Sequence, residues 1–244
     1  MKPFEYEIEN IKTLVNEMFD LVKDQVHLTK EALLTSDHDL SGEIMRKEKR
    51  VNAYELSVDR EIEDFLALQA PVATDLRFAI AILKISASLE RIGDHAYRIS
   101  TLVFDEQLKV NKGIVELLQI STLFDEIDDM LINVSDALEK GEIELAKKVF
   151  KQDKTLDKIN KKLPGLLDEH YKNKKNIDLH NIILISRVVG KLERVGDLIK
   201  NIAEEIIFYY ESEVIRHRKK NLKISKKLGE ATGEAESEKT GMEE

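Results

Sequence analysis

Leu89-Glu90-Arg91-Ile92-Gly93-Asp94 recurs as Leu192-Glu193-Arg194-Val195-Gly196-Asp197, 103 residues further along the chain. The match spreads outward at the same offset: Asp75-Leu76 aligns with Asp178-Leu179, Ile80 with Ile183, Ile82 with Ile185 and Ile99 with Ile202. Upstream the offset is 105, pairing Glu31-Ala32-Leu33 with Asp136-Ala137-Leu138, Glu48 with Asp153 and Asn52 with Asp157. The second copy therefore lacks two residues in the connection that carries Pro71 in the first. A period near a hundred residues marks a duplicated, domain-sized unit and not a short-repeat solenoid.

The phrase sits in a strict apolar spacing. Ile82, Ile85, Leu89, Ile92, Ala96, Ile99 and Val103 alternate steps of three and four, and so do Ile185, Val188, Leu192, Val195, Ile199, Ile202 and Ile206. Each stripe predicts a helix buried along one side. With 35% charged residues, 10 Gly and 3 Pro in 244, the composition favours long helices. Six are expected: about 4–34, 40–68, from Pro71 to 104, from after the linker Asn111-Lys112-Gly113 to 139 with Lys140-Gly141 as a stop, from Glu142 past Asp157 with Pro164-Gly165 kinking or interrupting it, and 179–218. The predicted fold is all-α: two tandem three-helix bundles related by internal duplication, over residues 1–107 and 108–220. Residues 221–244, Lys-rich and then rich in Glu, Gly, Ser and Thr, are expected to be a disordered tail.

Several function classes fall away. The chain has no Cys, which removes disulfides, thiolate metal sites and Cys nucleophiles. A net charge of −9 argues against a general nucleic-acid binder. No apolar run approaches a membrane span and the N-terminus lacks a signal peptide, so a cytoplasmic protein is expected. No Ser-His-Asp grouping, P-loop or dinucleotide loop occurs.

The acids of the repeat carry the chemistry. Glu90 and Asp94, like Glu193 and Asp197, stand four apart on one helical face. The preceding helix of each copy offers a partner pair, Glu48 with Asn52 and Asp153 with Asp157. Such facing pairs supply oxygen ligands for hard or borderline cations. The competing reading is a solvated acidic face. Duplication weighs against it, and so do Gly93 and Gly196, each costing about 1 kcal/mol mid-helix, which implies close helix approach or space beside the acids. The apolar register places the acids off the main seam, giving an open surface site without the inward Glu-x-x-His of a di-iron oxidase. Arg91 and Arg194 read either as ion-pair partners that hold the acids or as contacts to an anion. His95, matched by Leu198 in the second copy, reads as a surface residue or at most an auxiliary ligand. Asp75 and Arg77, near the start of a helix, read as helix-terminal charge or a partner contact.

Pro71-Val72-Ala73-Thr74-Asp75-Leu76-Arg77, Leu89 to Ala96, Leu192 to Asp197 and Ile206-Ile207-Phe208-Tyr209-Tyr210 resemble the PhoU family of bacterial phosphate-uptake regulators, over roughly residues 5–218. The resemblance implies two three-helix bundles with multinuclear metal clusters on Glu48, Glu90, Asp94, Asp153, Asp157, Glu193 and Asp197. Asn52 departs from the acidic pattern, so the first site is expected to be weaker or to hold fewer ions, with the Asn52 amide oxygen as a neutral ligand. The metal is left open among Fe, Mn, Mg, Zn and Ca. Long bundles often pair, so a homodimer is expected, and the resemblance implies a non-catalytic adaptor peripheral to the membrane. It would link the ATPase subunit of a phosphate ABC transporter to a sensor histidine kinase and repress phosphate-starvation signalling. A carboxylate-bridged metal enzyme and a metal-free helical scaffold are the alternatives.

Overall fold

The computed structural model describes residues 3–37, 39–69, 73–172 and 178–211. Within these residues seven helices follow in order: α1 (Pro3–Thr35), α2 (Asp39–Gln69), α3 (Ala73–Phe104), α4 (Lys112–Leu117), α5 (Ile120–Lys140), α6 (Ile143–Tyr171) and α7 (Leu179–Glu211). Among the described residues there is no strand. Helices α1–α3 make one three-helix bundle and α5–α7 the second. The bundles lie side by side, with α3 packed along α7 and α1 along α5. Every residue of both predicted stripes is buried. These two helices form the spine of the molecule because each must cover its own bundle and the other half at once.

The spine is antiparallel. Phe78 meets Tyr209 at 5.5 Å between ring centroids, Lys84 pairs with Glu205 at 3.1 Å, and Glu106 pairs with Arg187 at 2.9 Å. At the far end of α5, Gly141 adopts φ 72 and its amide caps the helix on the Ala137 carbonyl, as the Lys140-Gly141 stop predicts. The Tyr210 hydroxyl donates to the Leu138 carbonyl at 2.9 Å and ties the end of α7 to this corner.

Two expectations are corrected. The single helix expected between the linker Asn111-Lys112-Gly113 and residue 139 is broken at Gln119, which has φ 52. Leu118 and Ile120 are both fully buried, yet two residues apart on one helix they would face nearly opposite ways. A left-handed residue between them resets the phase, leaving α4 as a single short helix capped by the Asn111 side chain on the Ile114 amide. Conversely, Pro164 does not interrupt α6, which runs unbroken to Tyr171. Leu156, Ile159, Leu163 and Leu167 keep one buried stripe across it, while Pro164 and Gly165 are exposed, where water can replace the amide bond proline lacks. The tail and the end of the last predicted helix lie outside the described residues, as does Pro71.

Candidate metal centres

In each bundle the acids gather where a glycine of the spine meets a carboxylate of the preceding helix. A Cβ on Gly93 would lie 3.0 Å from Glu48 Oε2 and 2.9 Å from Gln25 Oε1. A Cβ on Gly196 would lie 2.7 Å from Leu156 Cδ2 and 3.4 Å from Asp153 Oδ1. The matched glycines therefore provide both the close approach and the space beside the acids. Here the expectation of a fully open site is corrected: Glu48 and Asp153 are 8% and 5% exposed. Without side chains at the two glycines, the facing carboxylates tuck against the spine backbone. Glu90, Asp94, Asp157, Glu193 and Asp197 are half-buried around them, and Asn52 is exposed.

The two centres are unequal. In the first, Gln25 of α1 donates to Glu48 Oε2 at 2.9 Å and to the Gly93 carbonyl at 3.1 Å. With its amide oriented by this network, Asn52 donates to Glu48 Oε1 at 3.2 Å. Arg98 holds Asp94 through both carboxylate oxygens, at 2.9 and 2.7 Å. In the second centre, Lys200 donates to Asp153 Oδ2 at 2.6 Å and also to Asp197. Gln25, Arg98 and Lys200 had no role in the sequence reading. Lys200 is three residues from Asp197, a legible helical pair. Gln25 comes from a distant helix, and its second-copy counterpart is the buried apolar Met130.

As the side chains stand, no three carboxylates or imidazoles among the described residues converge tightly enough to share one ion. The donor set nonetheless fits a hard cation, because it is all oxygen. Gln25 Oε1 and Asp153 Oδ1 are buried with no hydrogen-bond partner. In the second centre an ammonium already stands between two of the carboxylates. The remaining candidates lie elsewhere. His95 is half-buried between α3 and α7, not on the open surface, and Arg91 and Arg194 are exposed. Asp75 and Arg77 stand at the start of α3, about 22 Å along the helix from Glu90.

The electrostatics follow from the crowding. Burial raises the Glu48 carboxyl above its ordinary value; Gln25 opposes this, and Asp94 and Glu90 add to it. Burial also raises Glu90, reinforced by Asp94, and Glu193, reinforced by Asp197 and Asp157. Burial works against the charge of Lys200, but its bonds to Asp153 and Asp197 outweigh it and hold the ammonium well above the ordinary lysine range. For a carboxyl whose folded pKa is raised, the folded state binds more protons between the ordinary value of 4.5 and the raised one, so stability falls as pH rises through that window. The metal-free protein is thus expected to melt higher as pH is lowered through that window towards 4.5, with a flatter profile in a Glu48→Gln, Glu193→Gln variant. Equal slopes for the two proteins in thermal melts would contradict the assignment.

Comparison with known proteins agrees with this duplicated architecture. The model of the PhoU domain matches the chain twice, over residues 15–103 and 120–206, one match in each bundle. A phosphate-specific transport system accessory protein PhoU homolog of Pseudomonas putida is 29% identical over 236 residues, 96% of this chain and 90% of that protein. The crystal structure of PhoU from Pseudomonas aeruginosa superposes with a TM-score of 0.79 at 29% identity, covering 86% of this chain and all of the other. That of the phosphate transport system regulatory protein PhoU from Streptococcus pneumoniae gives 0.76 at 25% identity, over 87% of this chain and 99% of the other. Two matched domains, spanning the very helices that carry the repeated acids, mean that the chain belongs to the PhoU family.

Proposed function

We propose that this chain is a metal-binding accessory protein of phosphate uptake. It acts in the cytoplasm as a non-catalytic adaptor between a phosphate transporter and a sensor histidine kinase, and it restrains phosphate-starvation signalling. The observation that carries the reading is the pairing of two PhoU domains with a set of neighbouring, mutually repelling carboxylates in each. The accessory role is supported by the names of the relatives in Pseudomonas and Streptococcus. A peripheral position at the membrane is compatible with the helices, none of which, among the described residues, is long and apolar enough to cross one. Glu48, Glu90 and Asp94 would hold ions in the first centre, and Asp153, Asp157, Glu193 and Asp197 in the second. Bound cations would neutralise acids that repel one another and satisfy the unpartnered oxygens of Gln25 and Asp153.

Deleting the gene is expected to raise phosphate-responsive transcription in phosphate-rich medium, measured with a reporter. Restoring the full chain should return it to the repressed level. Unchanged expression in the deletion strain would sink the regulatory reading. A metal-free scaffold is the second reading, favoured by the Lys200 and Arg98 ion pairs, which already offset part of the acid charge.

A further inference from the structure

The seam between α3 and α7 gathers cations. On α3, Arg91, His95 and Arg98 follow at steps of four and three; on α7, Arg187, Lys191 and Arg194 do the same. Each triplet occupies one face of its helix. The antiparallel register set by Phe78–Tyr209, Lys84–Glu205 and Glu106–Arg187 sets His95 nearly level with Arg194, with Arg91 and Lys191 about one turn to either side, and all three cations act on the imidazole. The outer cations are engaged, Arg98 by Asp94 and Arg187 by Glu106. The inner four make no hydrogen bond or ion pair among the described residues, although Arg91 and Arg194 feel their neighbours Glu90 and Glu193. His95 Nδ1 is buried with no partner.

Gathering like charges costs free energy unless something offsets it. Burial lowers His95, and Lys191, Arg194 and Arg91 lower it further against the pull of Asp94. Burial likewise lowers Lys191, with Arg98, Arg187 and Arg194 acting in the same direction and Asp94 against. This happens on a chain of net charge −9, where acids to quench the seam are plentiful. Two guanidiniums that bind oxygens in pairs, an ammonium and an imidazole suit a compact, multiply charged tetrahedral oxyanion better than a single carboxylate.

We infer that Arg91, His95, Lys191 and Arg194 form a receptor for a phosphoryl oxyanion, supplied either as free phosphate or as a phospholipid headgroup. Arg91 and Arg194 are the same residue of the two copies, so the receptor exists only where the halves meet. The ligand is shared by both bundles, one arginine from each. The inference stands on this seam and does not rest on metal in the acid clusters or on a role in phosphate uptake.

The test uses the full chain stripped of metal with a chelator, so that loss of ions and loss of the oxyanion site read separately. Calorimetric titration with inorganic phosphate at low salt, and co-sedimentation with phosphatidylcholine vesicles with and without phosphatidylglycerol, are run in parallel. Binding in solution assigns free phosphate, and binding to the anionic vesicles alone assigns the headgroup. Lys191→Gln combined with Arg194→Gln should weaken whichever binding is seen by roughly tenfold or more, since charge-assisted bonds are lost. Lys148→Gln with Lys161→Gln, which removes the same charge from exposed positions of α6, should leave it unchanged. Because the seam variant relieves repulsion, its melting temperature without phosphate should equal or exceed that of the native chain. Binding to neither partner, or binding that the seam variant retains, overturns the inference.

Discussion

Exchanging Lys200 for methionine is expected to destabilise the metal-free protein by about 3 kcal/mol, a large share of a typical domain's stability. Asp153 is 5% exposed, and its Oδ2 accepts from the Lys200 ammonium at 2.6 Å while Oδ1 has no partner. Removing the lysine leaves a buried carboxylate facing Asp157 and Asp197 with no counter-charge. Burial already raises the Asp153 carboxyl despite the lysine, so in the variant it has to take up a proton or stay charged at higher cost. Methionine keeps most of the packing of the lysine stem, so the loss reports charge more than volume. Adding Asp153→Asn to Lys200→Met should recover most of the loss in chemical denaturation, because the pair forms one unit. A change below about 0.5 kcal/mol in the single variant, typical of an exposed pair, would mean that Lys200 does not hold the second centre. With the ammonium gone, the same variant should bind divalent cations at the second centre more tightly than the native chain.

Gly196→Ala is expected to destabilise by about 2 kcal/mol, although alanine is the better helix former. The new methyl group would stand 2.7 Å from Leu156 Cδ2, and Leu156 is completely buried, so its side chain has no free space to move into. Relief must come from α6 moving away from α7, which also shifts Asp153 and with it the cluster. Gly190, six residues earlier in the same helix, is the control: a Cβ there meets nothing within 4 Å. Gly190→Ala should therefore stabilise by about 1 kcal/mol. Opposite signs for the two substitutions in denaturant titrations are the expected result. Equal stabilisation by both would remove the packing argument for the repeated glycine.

The two long stripes were legible because every position of each falls in the core, and a helix flanked on two sides leaves little room for exceptions. The doubled motif also told which glycine faces which carboxylate, since the two recur together. How deeply Glu48 and Asp153 sit was not legible, because their burial depends on the separation of helices and not on periodicity. The break at Gln119 was hidden for a related reason: Leu118 and Ile120 read as ordinary apolar residues until the structure shows both facing inward. Pro164 does not end its helix, since its cost depends on which side of the helix faces water. Gln25 reaches the first centre from another helix, a contact that spacing along one helix cannot reveal. His95 was judged by its mismatch with Leu198, whereas its place beside Arg194 and Lys191 follows from the antiparallel pairing of α3 with α7.

Metal content decides the account most directly. The chain, purified without chelator, incubated with candidate divalent and ferric salts and desalted, is assayed for bound metal by elemental analysis beside Glu90→Ala, Glu193→Ala and the double variant. Ions are expected to stay with the native chain, to be lost more from Glu193→Ala than from Glu90→Ala because the first centre has Asn52 where the second has Asp157, and to be nearly absent from the double variant with helical circular dichroism unchanged. Ions held equally by the double variant, or none held by the native chain under any of these salts, would contradict it.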